Sequence, residues 1–192
     1  MKYTIPTLLI SLILSCFSAT CAPAPEVHDL SVERRTANTC GDPSTSEIYY
    51  EAFSPSRTAH LLQRHSAFVS DDSVLGEDFQ IQAASFRAWR TQQTGTSPLY
   101  RLAAAGSPPP DYVFAVSTDA NPSTVSGFAT APFIIGYVYA TQICDSIPLY
   151  VVSVSSSRDH YYTVDADERD ELVNDGWTDQ GIAAYVLPVY TE

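Results

Sequence analysis

The chain has 192 residues, 45% of them hydrophobic, and carries a formal net charge of −12 from 22 acidic and 10 basic side chains. A surface of that sign repels phosphate backbones and anionic lipid headgroups, which argues against nucleic-acid binding and membrane-surface binding. The length suits one domain once any leader is removed.

The first 20 residues read as a secretory signal. Lys2 supplies the charged start, Ile5 to Phe17 form a mostly apolar stretch, and Ser18, Ala19 and Thr20 are the small residues of a cleavage zone. The stretch is shorter than the about 20 apolar residues of a membrane span, and no second one follows. Residues 21–35 are Pro-rich and charged, without apolar periodicity, and read as a disordered leader or propeptide. They end in Arg34-Arg35, a dibasic cleavage site in one reading and two solvated arginines in the other. Residues 36–192 are then expected as a secreted, monomeric, single domain. Cys16 and Cys21 would leave with the signal and leader, so Cys40 and Cys144 remain to form one disulfide in an oxidising compartment. It would close a loop of about 100 residues, worth about 4–5 kcal/mol if chain entropy dominates. No Asn-X-Ser/Thr acceptor is present, since Asn121 precedes Pro122 and Asn38 heads Asn-Thr-Cys.

The remainder is built from repeats, with units near 47–97, 98–147 and 148–192. Pro98-Leu99-Tyr100 and Pro148-Leu149-Tyr150 open the second and third, and each continues through an Asp followed by aromatics and a Gly-aromatic pair to an apolar strand. In the first unit Ile48-Tyr49-Tyr50 matches the opening and His60 aligns with His160, while Phe79 and Phe86–Arg90 stand in for the later elements. In the second, Pro108-Pro109-Pro110 lengthens the hairpin turn, and Pro122–Ser126 offers one helical turn at most. The third is cleanest. Leu149–Val154 and His160–Val164 read as a β-hairpin, and Asp165 with Glu168 reads as a capping box opening a short helix with Leu172 and Val173 on its apolar side. Gly176 ends that helix, Trp177 plugs it against the strands, and Ile182–Val186 returns. The expected fold is mainly β with short helices: three strand–strand–helix–strand units closed into a compact body with pseudo-three-fold symmetry, tied by one disulfide.

Leu149-Tyr150, Asp159-His160-Tyr161-Tyr162-Thr163, Ala166-Asp167-Glu168-Arg169-Asp170, Gly176-Trp177 and Gly181-Ile182-Ala183-Ala184-Tyr185-Val186 resemble one repeat of the family DUF5648, a domain of unknown function. Its units read roughly LYRLY, DHFYT, AERD, GW or GY, and EGIAGYV. The likeness is strong over the third unit, moderate over the second and weak over the first. Members of the family are secreted, alone in fungi or attached to bacterial cell-wall hydrolases, and that company implies a carbohydrate or cell-wall binding module. This chain departs from the pattern at Gln180, at Asp111-Tyr112 in the second unit and at Ala59-His60 in the first.

The residues point to no reaction. No Ser sits in a Gly-x-Ser-x-Gly elbow, and His60, His65 and His160 lack metal-ligand spacing, so no catalytic residue, cofactor or metal is expected. Carboxylates are too numerous for any pair to single out glycosidase chemistry, which leaves a hydrolase as the third choice. Sugar binding asks only for aromatic faces beside fixed polar groups. The residues expected to supply them are Tyr100, Arg101, Tyr150, Asp159, His160, Tyr162 and Trp177, with Trp89, Tyr137, Tyr185 and Arg169 as further candidates. An extracellular glycan or cell-wall polysaccharide is the expected partner. The competing expectation is a protein-directed effector or inhibitor acting through loops at 67–82 and 103–110. For each tyrosine a place in the core wall is the rival role, and for Asp159-His160 it is a locked turn.

Overall fold

A computed structural model describes residues 39–106, 110–119, 124–129 and 133–190. The strands are β1 (Glu47–Ser54), β2 (Ala59–Arg64), β3 (Gln80–Ala88), β4 (Ser97–Ala103), β5 (Tyr112–Val116), β6 (Phe133–Val138), β7 (Ile147–Val154), β8 (Asp159–Thr163) and β9 (Thr178–Val186). They form three 3-stranded antiparallel sheets, ordered β2-β1-β3, β5-β4-β6 and β8-β7-β9. The opening strand of each unit is therefore central. It must be apolar on both faces, which is why Tyr49, Leu99 and Leu149 on one side, and Ala52, Leu102 and Val152 on the other, are all buried.

The units share a bulge. The register slips after Tyr49, Leu99 and Leu149, which leaves Ser85, Ile135 and Ala183 unpaired in the third strand of each sheet. A bulge bends its strand and increases its twist. The bent third strands meet in a ring: Trp89 bridges Tyr137, Tyr139 bridges Tyr185, and Leu187 bridges Arg87, each through a reciprocal pair of backbone hydrogen bonds. This is cyclic exchange among equivalent positions, so the pseudo-three-fold body is closed. Trp89, Tyr139 and Leu187 pack together as a plug at that end. The main core draws Tyr49, Leu62 and Phe86 from the first unit, Leu99, Phe114 and Val138 from the second, and Leu149, Tyr162 and Val186 from the third.

The connectors repeat as well. The hydroxyls of Ser46, Thr96 and Ser146 donate to the carbonyls of Pro43, Gln93 and Ile143 at 2.6, 2.9 and 2.6 Å. All three residues are buried immediately before a central strand, so the staple satisfies a polar group that would otherwise be costly there. Cys40 and Cys144 form the expected disulfide, across 104 residues, and tie the start of the described chain to the connector ahead of β7. Cys16, Cys21 and the signal and leader segments lie outside the described residues. Among the described residues no helix is long and apolar enough to cross a membrane.

Four local expectations change. Residues 67–82 are not a loop throughout: α1 (His65–Ser70) is followed by a π-helical turn over Asp71–Leu75 that ends at Gly76, φ 68°. The segment has no side-chain cap and poor helix formers, so its propensity hid it; Phe68, 1% exposed and packed on Phe79, holds it by tertiary contact. In the third unit α2 (Ala166–Asn174) starts at Asp165, whose carboxylate accepts from the N–H groups of Asp167 and Glu168. The reciprocal half of the box is missing, because the Glu168 carboxylate takes the hydroxyls of Tyr161 and Thr163 instead. That tether, with Arg169 lying over the Tyr150 ring at 4.6 Å, holds a helix whose Val173 is exposed and which has no fully buried residue. Trp177 is half-buried, edge-on to Tyr161, and β9 starts at Thr178, ahead of the expected Ile182. Part of the turn expected over Pro122–Ser126, and residues 107–109 of the segment 103–110, lie outside the described residues.

Candidate functional site

The second strands of the three sheets meet at the end opposite the plug, and an Asp–His bond crosses two of the three junctions. Asp159 of the third unit accepts from the backbone N–H of His60 at 2.9 Å and bonds its Nδ1 at 2.7 Å. Asp111 of the second unit does the same for His160, at 3.2 and 2.8 Å. Both aspartates are 3% exposed, and a carboxylate that dry requires donors on both oxygens. Asp159 and His160 are adjacent in sequence yet do not bond each other. Neighbours on a strand point to opposite faces, so each reaches a different unit and the expected local lock is absent. At the first–second junction the equivalent residues are Ala59 and Tyr112, and the Arg57 guanidinium donates to the Tyr112 hydroxyl at 2.7 Å in place of the Asp–His bond.

The two Asp–His junctions differ in what surrounds the imidazole. His60 is paired across its hairpin with Phe53, ring centroids 4.8 Å apart, and meets Tyr161 edge-on at 5.0 Å. His160 is paired with Ser153, and the position equivalent to Tyr161 is Val113. The smaller residues leave the His160 side chain 22% exposed against 12% for His60. They open a cleft of about 500 Å³ between the second and third units, lined among others by Ala104, Asp111, Phe128, Ser153, Arg158 and His160. Phe128 stands edge-on to the imidazole at 5.7 Å. With Nδ1–H donating to Asp111, Nε2 is the ring nitrogen left for a ligand, and the backbone and ring bonds together fix its direction. Arg158 occupies the last position of the hairpin turn with φ 57°, as Thr58 does in the first unit with φ 53°, and its side chain is exposed.

The residues expected to bind do not assemble into one site. Asp159 and His160 line the cleft. Tyr100, 8% exposed, belongs to a small apolar cluster with Leu102 and Val113 and borders a separate cleft of about 400 Å³ with Tyr137 and Asp119. Arg101 is enclosed near the first unit, donating to Gln63 at 3.3 Å between the rings of Tyr112 and Phe133, and burial lowers its pKa. Tyr150 is covered by Arg169. Tyr162 is 2% exposed, its hydroxyl accepts from the Phe114 N–H at 2.9 Å, and burial pushes its pKa up. Tyr162 and Trp89 are core residues, as an aromatic at strand spacing commonly is.

Phe128, Arg158, Ser153 and Asp111 are cleft residues outside the expected binding set. Glu51 was also missed. It sits at the third–first junction, 4% exposed, accepting from the Tyr162 N–H at 3.4 Å. Burial holds its carboxyl well above the usual range, and the charges of Glu168 and Asp159 add to the shift. Its signal was an acid at a core-facing position of an otherwise apolar strand, Ile48-Tyr49-Tyr50-Glu51-Ala52-Phe53. Among the described residues no group of His, Cys, Asp and Glu side chains is arranged to hold a metal ion.

Comparison with known proteins bears on the whole body. The family model of DUF5648, described as a domain of unknown function, matches residues 48–187, which spans all three sheets. No curated protein and no solved structure matches. The chain belongs to the DUF5648 family.

Proposed function

We propose that this member of the family is a secreted, non-catalytic module that binds extracellular or cell-wall carbohydrate in the cleft between its second and third units. The observation that carries the reading is that one cleft is lined by an aromatic side chain, Phe128, edge-on to His160, together with the polar residues Ser153 and Arg158. A saccharide presents apolar C–H faces and a rim of hydroxyls. Aromatic surface with a few fixed polar groups is the complement to that pattern. The Asp111 bond lowers the ordering cost of binding, because the imidazole is held before the ligand arrives. Secretion draws support from the apolar N-terminal stretch and from the Cys40–Cys144 disulfide, a bond that persists in oxidising compartments.

The test is a pull-down of the secreted chain on chitin, β-glucan, pectin and peptidoglycan, followed by calorimetry with oligomers of whichever retains it. Phe128→Ala should weaken binding about tenfold, the equivalent of about 1.4 kcal/mol, and lower the melting temperature modestly, because the ring also packs on the cluster of Tyr100, Leu102 and Val113. Retention on none of the four materials overturns the reading.

A further inference from the structure

We infer that the cleft selects a carboxylate-bearing sugar, a uronic acid unit, with Arg158 as the anion contact. The inference rests on the carbohydrate reading above and names its substrate class.

Its first support is the partnering of the arginines. Arg57 pairs with Glu77, and Arg64 and Arg90 both reach Glu47. Arg169 reaches Asp170 and Asp179, Arg87 donates to the Ser46 carbonyl, and Arg101 is held by Gln63 and two rings. Arg158 alone among the described arginines has no hydrogen bond, ion pair or ring contact to another described residue. In a chain with 22 acidic residues against 10 basic ones, an arginine that no described acid, carbonyl or ring engages stands out. The second support is that the carboxylates of the cleft are already engaged. Asp111 and Asp159 are 3% exposed, and each has both oxygens bonded to a histidine of another unit. The exposed formal charge in the lining is therefore the guanidinium.

A planar guanidinium matches a carboxylate through two parallel N–H···O bonds, and a neutral hydroxyl cannot use that fork. The remaining groups suit the rest of the same sugar ring. The Nε2 of His160 accepts from a ring hydroxyl, and Phe128 packs against a C–H face.

The experiment measures calorimetric affinity for a galacturonate oligomer and for the same oligomer with its carboxyls reduced to primary alcohols. The uronate form should bind at least tenfold tighter. Arg158→Gln should bring its affinity down to that of the reduced form. Arg90→Gln removes an equal charge on the first unit and should leave the preference intact, which separates a contact from a net-charge effect. Arg158 is exposed, so the variant should melt with the parent. Equal affinity for the two oligomers, or a preference that survives Arg158→Gln, overturns the inference while leaving carbohydrate binding in place. Failure of both oligomers alongside retention on a neutral polysaccharide has the same meaning, whereas retention on no material defeats the underlying reading.

Discussion

The third–first and second–third junctions use the same backbone, the same Asp–His bond and the same hairpin turn, and one is packed where the other is open. Around His60 the neighbours are Phe53 and Tyr161; around His160 the equivalent places hold Ser153 and Val113. Two side chains thus decide whether a junction is a piece of core or the wall of a cleft. The Asp–His bond belongs to the architecture, since it is present in both. The cleft belongs to the one junction where bulk was removed, and there the imidazole keeps its orientation while gaining access to solvent. Repetition supplies three copies of a frame, and divergence makes the copies unequal.

The aspartates set the strongest test of that contrast. Asp159→Ala orphans a backbone N–H and an imidazole in the packed junction, where His60 is 12% exposed, and should cost about 3 kcal/mol in urea unfolding. Asp111→Ala removes the same bonds beside the cleft, where His160 is 22% exposed and water can replace part of what is lost, so about 2 kcal/mol is expected. Equal losses, or a larger one at Asp111, would mean that the two junctions are energetically alike.

A reciprocal swap addresses the filler residues. Phe53→Ser removes a half-buried ring from above His60 and should cost about 1–2 kcal/mol, without conferring ligand binding on a junction that lacks a counterpart of Arg158. Ser153→Phe places that ring above His160. Calorimetry should show loss of carbohydrate binding by tenfold or more, with a melting temperature at or above the parent's. Binding that persists in Ser153→Phe would place the ligand elsewhere on the protein.

Much of this frame could be read from the chain itself, and the reason is the repeat. Pro148-Leu149-Tyr150 against Pro98-Leu99-Tyr100 located the central strands, Asp165 located α2, and removing Cys16 and Cys21 left one possible disulfide. The closed pseudo-three-fold body followed from unit count. The site was less legible. Asp159-His160 advertised a local pair, and only the strand geometry sends its two members to different units. Whether Ser153 marks a cleft depends on its being opposite His160, with Phe53 opposite His60, which is a comparison across a fold and not along a sequence. Helix α1 was hidden because its stability comes from Phe68 in the core and not from its own residues. Tyr162 and Trp89 carry no mark in the sequence that distinguishes an aromatic on the surface from one inside.

The smallest effect concerns the acid in the packed junction. Glu51 occupies the place that Val151 holds beside the open one, and both are buried. Burial raises the carboxyl of Glu51 well above its ordinary 4.5, so the folded protein binds that proton more tightly than the unfolded chain does. Below about pH 4.5 the group is protonated in both states and carries no penalty. As the pH climbs past that value the unfolded chain releases its proton first, and stability falls until the folded carboxyl ionises too. Glutamine has no proton to lose and can still accept from the Tyr162 N–H. Glu51→Gln should therefore match the parent in unfolding free energy near pH 4 and exceed it by on the order of 1 kcal/mol near pH 7. The corresponding change at the open junction, Val151→Leu, should leave the pH profile unchanged. If the stability of Glu51→Gln tracked the parent across the range, Glu51 would have to be ionised and paired in the folded state, and the packed junction would be held by charge where the structure shows it held by burial.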